Sequence, residues 1–134
     1  MVALCFVLCN VKTEAQFGGG TGIAGDPYQI HNITHLENFT TAYQDDPFIL
    51  MNNIDDSLRT HRFNGGMTGS YYGTFDGNGK YITLALNPSN QSAGFQSTGF
   101  IGTLANGGVV KNLIVKGYVA SNLHGGGVVG NINE

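Results

Sequence analysis

Charged residues are scarce in this chain. They make up 11% of its 134 residues, and the formal net charge is −3 at pH 7. The acidic side chains concentrate between Asp26 and Asp76, and the few lysines that follow are dispersed. Because there is no basic patch, a nucleic-acid partner has no electrostatic basis, and we expect none. The mild charge asymmetry predicts only a solvated face.

Cysteine and long hydrophobic runs are also nearly absent. Cys5 and Cys9 lie inside Val2–Val11, an apolar stretch of about ten residues, whereas a membrane-spanning helix needs about 20. Such a stretch followed by Thr13–Ala15, with small residues at the −3 and −1 positions, is typical of a signal peptide. We therefore predict a signal peptide at residues 1–15, no membrane span in the mature chain, and a secreted or cell-surface location. A buried N-terminal strand is the alternative, because no Lys or Arg precedes the apolar stretch.

Motifs that would indicate catalysis are missing or incomplete. No Gly-X-Ser-X-Gly nucleophile elbow or phosphate-binding loop occurs. His31 and His35 stand four residues apart, but no Glu follows His31, so the H-E-x-x-H motif lacks its general base and we expect a surface pair rather than a metal site. Asp45-Asp46 and Asp55-Asp56 are sequence neighbours that diverge in turns, whereas glycosidases need two carboxyls that converge at roughly 5–9 Å. We predict no enzyme, no catalytic residue and no metal ligand.

Glycine is abundant and unevenly distributed. Of the 21 glycines, five lie in Phe17–Gly25, none in Asp26–Asn64 and sixteen in Gly65–Glu134. Their spacing has no period of three, which excludes collagen, and the interleaved apolar and aromatic residues indicate a folded chain. Glycine beside short apolar runs is typical of many short strands joined by tight turns.

The second half of the chain contains an internal repeat, and its unit is about 28 residues long, within the range of known repeat architectures. The sequence GFIG at Gly99–Gly102 returns as GVVG at Gly127–Gly130. A second apolar pattern repeats at nearly the same spacing as GFIG and GVVG. Ile82, Leu84 and Leu86 follow Gly79, and a similar series follows Gly108: Val110, Leu113 and Val115. Each glycine inside a helical repeat would cost roughly 1 kcal/mol, so short strands are favoured. Repeats of this length predict stacked units that bury their apolar faces against their neighbours, one coil per repeat.

The preceding segment, residues 16–64, has a different pattern. A Gly-rich stretch leads into a short strand at Tyr28–Ile30, and a second apolar strand follows at Phe48–Ile54. Between them Thr34–Glu37 matches a capping box, with Thr34 as the N-cap. The apolar residues of the predicted helix follow at helical spacing: Leu36, Phe39 and Tyr43.

These motifs resemble those of a known group of proteins. Gln16–Gly22 and Asp26–Ile30, followed by a capped helix, resemble the N-terminal region of bacterial GLUG-repeat surface or secreted proteins. Gly73–Lys80 is similar to their first-coil motif, and GFIG and GVVG are similar to the repeat itself. The resemblance covers residues 16–134 and extends to secreted β-helix proteins of Bacteroidetes-like bacteria. It implies a right-handed parallel β-helix outside the cell but no single activity, because such coils accompany adhesins, IgA-peptidase-like proteins and polysaccharide-active enzymes.

The predicted fold is therefore all-β: a right-handed parallel β-helix, or β-solenoid, with a short N-terminal capping helix. The predicted divisions are a signal peptide (1–15), an N-terminal cap (16–64) and β-helix coils with GLUG-like repeats (65–134). We expect the coils to continue beyond the chain, which would then be truncated at its C-terminus. Two pairs of interior residues should stack one coil apart: Leu84 on Leu113 and Leu86 on Val115.

Candidate ligand contacts and a candidate cation site are few. Phe63, Tyr71 and Tyr72 belong to the densest aromatic group and could stack on sugar rings, with packing beneath a loop as the alternative. Asp76 and Asn78 carry oxygen side chains at alternate positions, but the later Glu and the third oxygen ligand of a calcium loop are missing. We expect a tight turn there and no cofactor, with calcium near Asp76 and Asn78 as the weaker alternative.

The repeat glycines Gly99, Gly102, Gly127 and Gly130 each flank a pair of residues in the GFIG and GVVG motifs. A corner of a coil needs either a positive φ or a close backbone approach at such places. We predict that these glycines are structural and do not bind a ligand.

The composition and the motifs, together with the resemblance to GLUG-repeat proteins, imply a non-catalytic module, adhesive, ligand-binding or spacing in role, at the bacterial cell surface. The expected partners are a surface glycan or a protein ligand, and further β-helix coils of the parent chain. The alternative is the accessory N-terminal part of a larger secreted peptidase or carbohydrate-active enzyme.

Overall fold

Short β-strands dominate the fold. The computed structural model describes residues 16–55, 67–86, 97–119 and 124–133, and the predicted signal peptide lies outside these ranges. The described elements are a single α-helix, α1 (Ile33–Glu37), a 3₁₀ helix (Thr41–Tyr43), and twelve strands: β1 (Tyr28–Ile30), β2 (Phe48–Leu50), β3 (Ile54–Asp55), β4 (Met67–Tyr71), β5 (Thr74–Asp76), β6 (Tyr81–Leu86), β7 (Ser97–Thr98), β8 (Ile101–Leu104), β9 (Val109–Lys111), β10 (Ile114–Val119), β11 (His124–Gly125) and β12 (Val129–Ile132).

The strands form four sheets, and the strand order within each sheet shows how the chain travels. The first sheet has the order β1-β2-β5-β9, the second β3-β6-β10, the third β4-β8-β12, and a small sheet pairs β7 with β11. All the pairings between these strands are parallel. The chain visits the first, second and third sheets three times in succession, as β2-β3-β4, β5-β6-β8 and β9-β10-β12. We call each of these visits a passage. The prediction of an all-β fold with parallel pairing between successive units is confirmed.

The spacing of the repeated motif recurs in the strand register. Val129 lies beside Ile101, and Ile82 lies beside Ile54, and both pairs have the same separation in the chain as GFIG and GVVG. Phe75 departs from this spacing, because its partner Phe48 is slightly nearer in the chain and its partner Val110 is considerably farther. The passages therefore vary in length, because the turns between strands differ while the strands remain paired.

The predicted stacking of Leu84 on Leu113 and of Leu86 on Val115 is wrong. In the second sheet Val115 lies beside Ile82, and the neighbour of Leu84 is Gly117. The cause is the length of the passage from β5 to β9, which is longer than the spacing between Gly79 and Gly108 predicts, so that Asp76 already pairs with Lys111 in the first sheet. Four residues separate β5 from β6 and only two separate β9 from β10, so the shorter turn recovers only part of the difference.

The helix is shorter than the sequence pattern predicted, and its cap is a different residue. Asn32, not Thr34, is the N-cap, and its side-chain oxygen accepts a hydrogen bond from the His35 N–H at 2.9 Å. Asn is at least as good an N-cap as Thr, so the helix begins earlier in the chain than predicted. It ends at Glu37, and Tyr43 belongs to the separate 3₁₀ helix.

Aromatic side chains join the passages into one core. Phe39 follows α1 and packs on Phe48 with ring centroids 4.8 Å apart, and on Phe100 at 5.6 Å. Phe75 lies 4.8 Å from Phe100, and all four rings are almost completely buried. Because Phe39 and Phe48 lie before residue 64 and the others after it, the predicted cap and the predicted coils share this core.

The segment between β1 and β2 also closes over the end of β4. The backbone N–H groups of Tyr72 and Gly73 both donate to the Gln44 carbonyl oxygen, at 2.8 and 3.1 Å. The Tyr71 hydroxyl donates to the Asp46 carbonyl oxygen at 2.8 Å. These bonds give polar partners to the Tyr71 side chain and to the two residues that follow β4. No helix within the described ranges is long and apolar enough to cross a membrane.

Candidate functional site

The predicted aromatic contacts do not lie on one surface. Tyr71 is fully buried, and the centroid of its ring lies 5.2 Å from that of Phe39. Tyr72 is 44% exposed, and Phe63 lies outside the described residues. Burial, followed by the nearby Asp46 carboxylate, raises the pKa of Tyr71 above its ordinary value. Consecutive residues here face opposite sides, so Tyr71 belongs to the core and only Tyr72 of this pair is available to a ligand.

The repeat glycines differ in what surrounds them. A Cβ on Gly99 would lie 2.7 Å from the Gly130 nitrogen, and one on Gly130 would lie 2.8 Å from the Thr98 nitrogen and 2.9 Å from the Gly102 carbonyl oxygen. A Cβ on Gly127 would meet nothing within 4 Å, and none of the four has a positive φ. Close backbone approach therefore requires glycine at Gly99 and Gly130, while nothing in the local geometry requires it at Gly127.

The two histidines contact each other at the N-terminal end of α1, where His31 precedes the helix and His35 lies within it. The His31 N–H donates to His35 Nδ1 at 3.2 Å, and His31 Nε2 lies 3.2 Å from Gln29 Oε1. Partial burial, followed by repulsion from His31, lowers the pKa of His35. Over the part of the chain that the structure describes, no three His, Cys, Asp or Glu side chains are grouped to hold a metal ion.

Asp76 and Asn78 form a tight turn whose carboxylate is already engaged. Asp76 Oδ1 accepts hydrogen bonds from the Asn78 N–H at 2.8 Å and from Asn112 Nδ2 at 3.1 Å, and Oδ2 lies 3.4 Å from Lys111 Nζ. Partial burial acts to raise the pKa of Asp76, but the three donors and the Lys111 charge outweigh it and lower the pKa. A calcium ion at this place would face the Lys111 ammonium and compete with the hydrogen bonds.

A cavity of about 280 Å³ lies on the outer side of the first sheet, next to this turn. Its floor includes Ile49, and its polar side includes Thr74, Asp76 and Lys111. The rest of its apolar lining is Phe48 on β2 and three residues outside the strands: Ala24, Pro27 and Pro47. Small-molecule sites commonly measure about 300–1,000 Å³, so this cavity has the size of a site for one small chemical unit.

The sequence pattern does not indicate this cavity. Thr74 and Lys111 are far apart in the chain, and they come close because β5 and β9 are neighbours in the first sheet. The sequence does contain one signal for this cavity, which is the alternation of polar and apolar residues in β5. Phe75 is buried there between two partly exposed residues that face outward, Thr74 and Asp76. Only the pairing of β2, β5 and β9 shows which outward residues are neighbours.

The outer face of the second sheet is a separate exposed surface. Lys116 Nζ lies 3.8 Å from the centroid of the Tyr81 ring, and Tyr118 and Ile114 on the same strand are 55% and 51% exposed. Val109 and Ile132, on the other strands of the last passage, are 44% and 68% exposed. Exposed large apolar side chains are thus concentrated on β9, β10 and β12, which are edge strands of the described sheets.

Comparison with known proteins gives one partial likeness. No family model matches the chain, and no solved structure matches it. Halomucin from Haloquadratum walsbyi is 31% identical over 108 residues, a match that covers 72% of this chain and 1% of halomucin. The chain therefore spans about one hundredth of the length of the curated relative that it matches.

Proposed function

We propose that this chain is part of an exported, non-catalytic repeat protein that folds as a right-handed parallel β-helix and acts at the cell surface in adhesion, ligand binding or spacing. The observation that carries the proposal is the order in which the chain visits its sheets. Each passage lies parallel to the preceding one and adds one strand to the first, second and third sheets. Stacked passages of this kind are the construction of a solenoid.

Two further features support the β-helix. Crossover connections between parallel strands of one sheet, such as the one from β2 to β5, are right-handed in about 98% of cases. The repeat glycines Gly99 and Gly130 lie on adjacent passages, where the backbones approach closely. This arrangement suits the GLUG-like repeat that the sequence resembles.

We propose that further coils of the parent chain stack on the last passage. Its edge strands β9, β10 and β12 have backbone groups available for pairing, and their exposed apolar side chains would be covered by another coil. A long exposed edge is otherwise a site of aggregation, which natural proteins cover or protect. The partly buried residues Val115 and Val129, which pack against the core from this side, would then become fully buried.

The proposed location rests on the predicted signal peptide at residues 1–15 and on the likeness to a short stretch of halomucin. Intact cells that express the full parent protein should be treated briefly with trypsin, and the released peptides identified by mass spectrometry. We expect peptides of this chain among those released, with an N-terminus at or near Gln16. A chain that retains Met1 and is released only after lysis would contradict export.

A further inference from the structure

The cavity on the outer side of the first sheet has an apolar floor. Ile49 lies on β2, and Pro27, Pro47 and Ala24 line the cavity from the adjoining turns. These side chains present C–H groups and no polar atoms to a ligand. A floor of this kind packs against the apolar face of a small ring.

The other side of the cavity is polar and carries both signs of charge. Thr74 and Asp76 are two residues apart on β5, so they face the same side of the sheet. Lys111 is the register partner of Asp76 on β9, and its ammonium lies 3.4 Å from Asp76 Oδ2. The cavity therefore offers a carboxylate acceptor, an ammonium donor and a hydroxyl within two adjacent strands.

The carboxylate is held in place before any ligand binds. Asn78 and Asn112 both donate to Asp76 Oδ1, which leaves Oδ2 beside Lys111 Nζ. The Asp76 side chain is 25% exposed and that of Lys111 is 52% exposed, so both groups can reach a molecule in the cavity. Such pre-organisation lowers the entropic cost of binding.

The charges of this pair select against an ionic ligand. An anion drawn to Lys111 would be repelled by Asp76, and a cation drawn to Asp76 would be repelled by Lys111, because the two charges are in contact. A hydroxyl group can donate to the carboxylate and accept from the ammonium at the same time. A ligand with neighbouring hydroxyls and an apolar ring face matches both sides of the cavity.

We propose that this cavity binds one neutral pyranose unit of a glycan, with its hydroxyls on Asp76 and Lys111 and its C–H face on Ile49 and the two prolines. The proposal rests on the ligand-binding form of the function proposed above and gives it a ligand class and a site. Thr74 contributes a further polar contact from the same strand. The rest of the glycan extends outside, because the cavity has room for only one small unit.

Titration of the ¹⁵N-labelled chain by NMR tests this proposal. The probes are the methyl glycosides of glucose, galactose and mannose, each raised to about 50 mM, because a ligand of this size in a small site is expected to bind with a dissociation constant on the order of 1–10 mM. We expect at least one glycoside to give saturable shifts at Ile49, Thr74, Asp76 and Lys111. Sodium acetate serves as a singly charged probe and should give none, and zwitterionic alanine tests whether the pair instead selects a ligand that carries both charges.

Variants assign the binding to this cavity. Lys111→Met should raise the dissociation constant of the glycoside at least tenfold, and Thr74→Val should raise it at least twofold. Lys116→Met, on the outer face of the second sheet, should leave the dissociation constant unchanged. Lys111→Met and Lys116→Met remove the same charge, so net charge alone cannot explain a difference. A thermal melt of each variant verifies that the fold is retained.

Several outcomes would overturn the proposal. These are the absence of shifts with all glycosides, equal binding by Lys111→Met and the unchanged chain, or saturable binding of alanine without binding of any glycoside. None of them bears on whether trypsin releases the chain from intact cells. Failure of the pyranose site is therefore distinguishable from failure of the proposed surface location.

Discussion

Glycines differ in how strongly the fold requires them, and Gly117, which the structure strongly requires, lies outside the repeated motif. Gly117 has φ +110°, and a Cβ there would collide with the Leu84 carbonyl oxygen of the neighbouring strand. Gly127, inside the motif, has no positive φ and no atom within 4 Å of its Cβ position. The motif alone does not show which glycine the structure needs, because that depends on the neighbouring strand.

Gly117→Ala is accordingly expected to lower the free energy of unfolding by about 1–3 kcal/mol, since the positive φ strains any L side chain and the Leu84 carbonyl must move. Urea denaturation followed by circular dichroism measures the effect. The matched control, Gly127→Ala, should remain within about 0.5 kcal/mol of the unchanged chain. Equal effects of the two substitutions would show that β6 and β10 are not paired as described.

The histidine pair predicts a pH dependence of stability. The pKa of His35 is lowered in the folded state, so the unfolded chain binds a proton more readily than the folded chain does. The stabilisation by neutral His35 is complete above the ordinary value of 6.5 and is lost as the pH falls below it. Protonation also removes the Nδ1 acceptor that the His31 N–H uses.

Urea denaturation between about pH 8 and pH 5 tests this, because ordinary histidines titrate inside that range and carboxylates below it. We expect the free energy of unfolding to fall toward the acidic end. His35→Asn keeps an acceptor near the Nδ1 position but cannot be protonated, so its curve should be flatter. A His35→Asn curve parallel to that of the unchanged chain would assign the dependence to other groups.

At the scale of elements, the length of a whole passage, including its turns, decides which residues of two neighbouring strands are paired. The turn from β5 to β6 contains an Asn at φ +51° and a glycine at φ +69°, and the shorter turn from β9 to β10 contains Asn112 at φ +52°. Asn tolerates this left-handed region better than most residues, so both turns are tight. The first sheet already pairs Asp76 with Lys111, and the shorter turn moves the register of the second sheet only slightly back, so Lys116, rather than Asn112, lies beside Thr83.

Engineered disulfides measure this register directly. Thr83→Cys with Lys116→Cys should oxidise to a disulfide, because adjacent strands lie about 5 Å apart and disulfides need Cα atoms about 4.4–6.8 Å apart. Thr83→Cys with Asn112→Cys, which the offset between Gly79 and Gly108 would pair, should stay reduced. Both variants are made with Cys5 and Cys9 replaced by Ser, and free thiols are counted after mild oxidation. The opposite result would restore the register predicted from the glycine spacing.

At the scale of the whole molecule, the buried phenylalanines connect residues before and after the predicted boundary at 64. Phe75 contacts Phe39, Phe48 and Phe100, at 5.3, 6.4 and 4.8 Å between ring centroids. It lies on β5, in the interior of the first sheet. The described part of the chain should therefore unfold as one cooperative unit.

Phe75→Ala is expected to lower the free energy of unfolding by about 3–5 kcal/mol, because it leaves a cavity at this junction. Hydrogen exchange followed by mass spectrometry should show faster exchange in β1 and β2 as well as in β8 and β9. Tyr118→Ala, which removes an aromatic side chain that is 55% exposed, is the control and should leave exchange in these strands unchanged. Faster exchange in Phe75→Ala confined to one side of residue 64 would mean two independent units.

The sequence by itself determined the local features of the fold: short strands separated by glycine turns, and a repeat spacing that recurs in the pairing of Ile101 with Val129. These follow from alternation and turn chemistry, which act over a few residues. The register of β6 and β10, the N-cap at Asn32 and the burial of Tyr71 were decided by tertiary structure, because each depends on what packs alongside. The same holds for the cavity: Ile49, Asp76 and Lys111 come from three passages and become neighbours only when β2, β5 and β9 pair.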